Sequence, residues 1–171
     1  MTEHLVVVDL QHVFGDAGSP WCTPRFAEVV PRIAALVEQY APRVTFTRFV
    51  APRSPHGAWR AYYERYPWAL QPPDADLYQL VDDFADHRDT TLDCSTFGKW
   101  GPQLAARLAG ADLVLAGVST DCCIVSTALP AADAGVRVRV IADACAGADD
   151  TTHAQALALM ELYAPLIEVV R

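Results

Sequence analysis

The chain has 171 residues, of which 52% are hydrophobic and 20% charged, a balance that fits a globular chain with a sizeable core and excludes a disordered one. Its net charge of −8 argues against nucleic acid or an anionic membrane surface as partner, since both select for basic faces. No apolar run approaches the length that crosses a bilayer, and the opening Met-Thr-Glu-His lacks a basic leader, so the expectation is one cytoplasmic domain.

Five cysteines (Cys22, Cys94, Cys122, Cys123 and Cys145) are odd in number and contain no Cys-x-x-Cys spacing, which argues against a disulfide framework and a zinc knuckle alike. The basic residues are lopsided, twelve arginines against a single lysine, Lys99.

Residues 5–8 form a continuous apolar run that ends in Asp9, the pattern of a central parallel strand with a carboxylate at its carboxyl end. Residues 11–21 read as a loop. Thr23-Pro24, a cap residue followed by proline, then opens a helix whose apolar spacing continues to about Tyr40. Residues 44–50 read as a second strand. The stretch 52–73, rich in proline and aromatic residues, predicts a partly helical excursion that covers the site or an oligomer contact. A weaker helix over 74–84 and a short strand over 89–92 follow, then a turn to Trp100 and a helix over 102–108.

Residues 113–116 give a fourth strand, broken at Gly117, after which Ser119, Thr120 and Asp121 supply helix-start chemistry for a helix to about Ala134, kinked at Pro130. A fifth strand over 136–141, a loop over 142–147, a helix over 152–163 and a sixth strand over 167–170 complete the chain. Regular alternation of strands and helices predicts a three-layer αβα fold around a six-stranded, mostly parallel sheet, with its ligand crevice above the carboxyl ends of the strands.

Three reactive groups follow the ends of three different strands in this scheme: Asp9, Lys99 and the Cys122-Cys123 pair. A thiol in the first turn of a helix is the easiest to ionise, because free amide N–H groups and the positive dipole end favour the thiolate. The same amides, over 119–123, are placed to hold an oxyanion. Asp9 can take the thiol proton, and Lys99 can keep both anions charged together, so no histidine is required. The other reading is a pair of small, packed, inert cysteines. Periodicity does not choose between the two sulfurs.

Three blocks carry a resemblance: V-V-V-D-L-Q-H-V-F from Val6, G-V-S-T-D-C-C-I from Gly117, and A-A-D-A-G-V-R-V-R-V-I-A-D-A-C-A-G from Ala131. In this order they resemble the isochorismatase-like cysteine hydrolases, a superfamily that includes nicotinamidases and N-carbamoylsarcosine amidases. The resemblance implies an isochorismatase-like fold, cleavage of a small amide or carbamoyl compound through a thioester, Cys123 as nucleophile and Asp9 as base; the alternatives are an isochorismatase-type vinyl-ether hydrolase, with Cys123 dispensable, and a catalytically silent binding or oligomeric member. It also implies a cis peptide at Val118–Ser119, an oxyanion hole from the amides of Ser119 and Cys123, and assembly as a homodimer or homotetramer.

Many members carry a lysine ahead of a Ser-Ala-Phe-like segment. The comparable Ser95-Thr96-Phe97 is here followed, not preceded, by Lys99, and the family position is assigned to Lys99, with Arg88 as the other cation of this connection. Nicotinamidases hold a divalent ion through an Asp-x-His after the second strand. Residues 48–56 contain only a lone His56, so the expectation is no metal and no cofactor, and a substrate other than nicotinamide. Gln11, Phe14 and Val118 are expected at the substrate pocket by their placement, with Trp59, Tyr62 or Trp100 covering it.

Overall fold

The computed structural model describes residues 2–171, apart from the side chains of residues 88–90. Six strands form one sheet: β1 (Glu3–Val8), β2 (Val44–Phe49), β3 (Thr91–Cys94), β4 (Asp112–Val118), β5 (Val138–Ala146) and β6 (Ile167–Val170). Their order is β3-β2-β1-β4-β5-β6, and all five pairings are parallel. The order reverses between β1 and β4, which is where open α/β sheets leave a crevice for ligands above the strand ends.

The helices are α1 (His12–Gly15), α2 (Phe26–Tyr40), α3 (Trp59–Arg65), α4 (Pro102–Leu108), α5 (Val125–Asp133) and α6 (Asp150–Glu161). They split the core in two, and β1 shows how. Leu5 and Val7 point to the face shared with α2 and the aromatic excursion, whereas Val6 and Val8 point to the face shared with α4, α5 and α6. Val114, Ala116 and Val118 of β4 join the first face, Leu113 and Leu115 the second. Period-two alternation in strands buried on both sides turns one apolar run into two packed layers, each fully buried side chain contributing about 1.5–3 kcal/mol.

Several boundaries differ from expectation, for local reasons. The helix expected from Thr23-Pro24 starts at Phe26, because the Thr23 N–H donates to the Phe14 carbonyl (2.8 Å) and its own carbonyl accepts from Phe26 N–H (3.0 Å). Instead of a helix over 74–84 there are short 3-10 turns, Asp76–Tyr78 and Asp82–Thr90. The backbone between these turns bonds to the β1–α1 connection instead: His12 N–H donates to the Gln79 carbonyl (3.0 Å) and Val81 N–H to the Leu10 carbonyl (2.9 Å). Strand β3 starts two residues later than the expected Asp89, and the helix after β4 opens as a single π turn, Thr120–Ile124. Pro130 lies inside α5, which continues to Asp133.

The expected loop over 142–147 is mostly strand. Pairing shifts from Leu115↔Val140 to Gly117↔Cys145, so a bulge in β5 takes up the extra residues and pairing resumes at Cys145 and Ala146.

Gly117 sits opposite Val8 with φ +120°, and a Cβ there would collide with the Val8 backbone. Only glycine lets β1 and β4 approach at their carboxyl ends while holding that conformation. Gly117→Ala is therefore expected to destabilise the protein by more than about 2 kcal/mol, read as a lower denaturation midpoint, since both the clash and the positive φ act against it.

His4, buried in β1, pairs its Nε2 with Thr45 Oγ1 at 2.9 Å. Burial first, then the Arg43 and Arg107 charges, hold its pKa below the ordinary 6.5. The unfolded chain therefore binds the proton at a higher pH than the folded one. The stability that neutral His4 contributes is complete above about 6.5 and falls as pH drops below it, by at most about 1.4 kcal/mol per pH unit. His153, also depressed by burial, adds to the same window. In urea titrations between pH 7.5 and 5, His4→Gln should flatten the slope in part.

Candidate active site

Asp9 follows the last residue of β1 and adopts φ +56°, a left-handed conformation that aspartate tolerates better than most residues. Its N–H donates to the Thr47 carbonyl (3.2 Å), and its carbonyl accepts from Gln11 N–H (2.8 Å), which fixes the turn. The Asp9 side chain is sealed at the switch point. Thr47 Oγ1 donates to Oδ1 (2.8 Å), and Lys99 Nζ meets Oδ2 at 2.8 Å, both charged side chains being 0% exposed. Oδ2 takes no hydrogen bond from any other described group.

Lys99 reaches this carboxylate because the turn after β3 is clamped to α5. Gly98 lies so close to the Ser126 carbonyl that a Cβ would overlap it. The Lys99 N–H donates to Thr127 Oγ1 (2.9 Å), which itself donates to the Cys123 carbonyl (2.6 Å). Nζ also donates to the Thr96 carbonyl (3.1 Å) and stands 5.5 Å from the centre of the Phe49 ring. Burial works against the ammonium, but the Asp9 carboxylate and the Cys123 sulfur outweigh it, and the Lys99 pKa lies above its ordinary value. The chain's one lysine is thus a buried cation, approaching from the far side of Ser95-Thr96-Phe97. The alternative cation, Arg88, lies outside the described side chains.

The two cysteines occupy the π turn after β4. The Val118–Ser119 peptide is cis, and the Ser119 carbonyl accepts from both Cys122 N–H (3.2 Å) and Ile124 N–H (3.0 Å). Cys123 is buried and Cys122 half-buried. The neighbouring Cys122 side chain, burial and the Asp9 carboxylate push the Cys123 thiol well above its ordinary range, against the pull of Lys99, while Cys123 in turn lowers Cys122. Ionisation by the helix start, expected from the sequence, is outweighed at Cys123, which rests as a thiol beside a carboxylate.

A cavity of about 350 Å³ opens over this turn, lined by Ser119, Cys122 and Cys123 on its floor and by Phe14, Trp21, Phe49, Tyr62 and Phe97 on its walls, with Thr23 and Asp121. A larger cavity of about 430 Å³ lies elsewhere, around Arg48 and Asp93, whose side chains are bound to each other by two 2.7 Å hydrogen bonds. Its lining contains no cysteine, whereas the cavity over the π turn has Cys122 and Cys123.

Phe14 stands where the sequence placed it, and Tyr62, one of three candidate covers, is on the wall. Gln11 is not at the cavity: its amide spans Phe49 N–H, the Phe49 carbonyl and the Tyr78 carbonyl at 2.7–2.9 Å, tying β1 to β2 and the excursion. Trp59 sits behind the wall against Phe49 and Phe97, and Trp100 packs into the core on the α4–α5 side. Val118 is buried in the sheet, its side chain in the core with α2. Sequence reading missed Trp21, Phe49, Phe97, Thr23 and Asp121. Phe49 alone left a signal, as the last apolar residue of a strand ending at the crevice.

Among the described residues no group of three or more His, Cys, Asp or Glu is placed to hold a metal ion, and His56 is exposed. After β2 the described residues do not offer the Asp-x-His donors of that ion.

Among solved structures, the fold is similar to an isochorismatase family protein from Desulfovibrio vulgaris (TM-score 0.85, 21% identity, 99% of this chain and 93% of that one). It is also similar to a cysteine hydrolase from Pseudomonas syringae (0.83, 20%, 99% and 88%) and to the nicotinamidase of Bacillus subtilis (0.79, 18%, 100% and 100%). No curated protein matches by sequence. The isochorismatase domain model matches residues 3–170, nearly the whole chain, and the protein therefore belongs to the isochorismatase-like hydrolase family.

Proposed function

We propose that the protein is a cysteine hydrolase that cleaves a small amide or carbamoyl C–N bond through a thioester on Cys123. One observation carries the reading: a buried aspartate–lysine ion pair whose charges both act on the sulfur of a cavity-lining cysteine. A structural ion pair has no need of a thiol beside it and an opening above it. The family is hydrolytic and includes nicotinamidases, proteins that act on amide C–N bonds.

The steps follow from the resting protonation states. Asp9 Oδ2 takes the Cys123 proton as the sulfur attacks the carbonyl carbon, forming the C–S bond and moving the carbonyl π electrons onto oxygen. Lys99 holds its positive charge throughout, so Asp9 acts as a base without ever being an unpaired buried anion. The amides of Ser119 and Cys123 hold the oxyanion. Collapse breaks the C–N bond, and Asp9 returns the proton to the departing nitrogen. Water then attacks the thioester, giving its proton to Asp9. The C–S bond breaks, the acid leaves, and the sulfur recovers the proton.

Cys123→Ala should abolish turnover of an amide library, by about 10⁴-fold or more, and remove any thioester adduct from the intact mass. Cys122→Ala should keep activity. It removes the neighbouring side chain that raises the Cys123 thiol, so alkylation of Cys123 by iodoacetamide should reach half its maximum rate at lower pH than in the parent protein. Unchanged turnover in Cys123→Ala would end the proposal.

Lys99→Met tests the ion pair. It leaves the Asp9 carboxylate buried without its counter-charge, expected to cost about 3–5 kcal/mol of stability by denaturant titration. Acylation should slow by at least about 100-fold, because the base loses the cation that keeps it charged beside an ionising thiol.

A further inference from the structure

The wall of the active-site cavity has a definite electrostatic character. Five aromatic rings (Phe14, Trp21, Phe49, Tyr62 and Phe97) line it, and among the described residues its lining contains no Lys, Arg or His. Trp21 is the hub, with ring centres 6.3 Å from Phe14, 6.1 Å from Phe49 and 5.9 Å from Tyr62. Burial pushes the Tyr62 hydroxyl far above its ordinary range, so this ring stays neutral.

The one charged group on the lining is Asp121. Its Oδ1 accepts from Ala148 N–H at 2.9 Å, and it forms no ion pair among the described residues. The titratable groups it acts on are Cys122 and His153, and burial holds the pKa of His153 down. Lys99 below the floor is already matched by Asp9. The cavity therefore presents electron-rich rings and an unmatched carboxylate to whatever enters it.

Building on the hydrolase reading, we infer that the substrate's acyl group carries a positive charge, as a quaternary ammonium or protonated amine seated among these rings beside Asp121. Aromatic rings attract a cation through their quadrupole, most strongly when it is desolvated, and the carboxylate adds its field. A substrate bearing a carboxylate would be stripped of water in a cavity that offers it no cation of its own, and it would meet Asp121.

Three amides of similar size separate charge from shape: 2-(trimethylammonio)acetamide, its neutral isostere 3,3-dimethylbutanamide, and the anion succinamate. The cation should show a kcat/KM about tenfold above the neutral isostere, with the anion lowest. Asp121→Asn keeps an oxygen for the Ala148 amide but removes the charge, and should shrink the cation-to-neutral ratio several-fold. A neutral isostere equal to or better than the cation, or a ratio indifferent to Asp121→Asn, overturns the inference while leaving the hydrolase reading intact. If none of the three is turned over, calorimetric binding to Cys123→Ala decides. Tighter binding of the cation supports the charge preference and counts against the reaction, whereas no preference, or no binding at all, overturns it.

Discussion

The buried contact between Asp9 and Lys99 is the constraint on which the site depends. Removing two charges from water costs several kcal/mol per ion, and such a pair persists only where both partners are held in place and further hydrogen bonds share the load. Here Thr47 takes the other carboxylate oxygen, the Thr96 carbonyl takes the ammonium, and α5 holds the lysine backbone through Thr127. Three strands and one helix meet at that pair. Strand β1 supplies the aspartate, β2 the threonine and the connection after β3 the lysine, while the helix that follows the Cys122–Cys123 turn anchors the lysine's backbone. The site is thus a consequence of how the sheet's two halves join.

Threonine 127 ties these pieces in a particular way. Its hydroxyl donates to the Cys123 carbonyl and accepts from the Lys99 amide, so one side chain spaces the turn that bears the sulfur from the turn that bears the cation. Gly98 gives that approach the room it needs at the Ser126 carbonyl. A lysine arriving from the far side of Phe97 can meet the same carboxylate because the turn is packed against the helix and does not float above it.

Much of the fold was legible because strands buried on both faces leave continuous apolar runs, and the runs at Leu5 and Leu113 mark the centre of the sheet. Asp9, Lys99 and the cysteine pair were legible as residues that follow strand ends. What could not be read was anything set by contacts across the chain. The segment around Leu80 carries helix-compatible spacing, yet its backbone is claimed by Leu10 and His12. Gln11 looked like a pocket residue from its distance to Asp9, and its amide is instead consumed by β2 and Tyr78. The bulge that extends β5 to Ala146 leaves only a run of small residues in the sequence. The resting state of Cys123 was hidden for the same reason, since it depends on a neighbouring sulfur, on burial and on a carboxylate from another strand.

The aromatic wall has a mixed origin: Phe49 ends β2 and Phe97 lies on the turn that carries Lys99, but two of its rings come from elsewhere. Tyr62 lies on α3, within the irregular connection between β2 and β3, and Trp21 in the loop before α2, whereas the sulfur, acid and ammonium are fixed by the sheet and α5. Tyr62 and Trp21 are thus anchored apart from Asp9, Lys99 and Cys123, whereas Phe49 and Phe97 share their elements with the ion pair. Changes in the α3 connection and the Trp21 loop can therefore reshape the cavity wall while Asp9, Lys99 and Cys123 stay in place, which makes these the segments to randomise when the cavity is to take a different occupant.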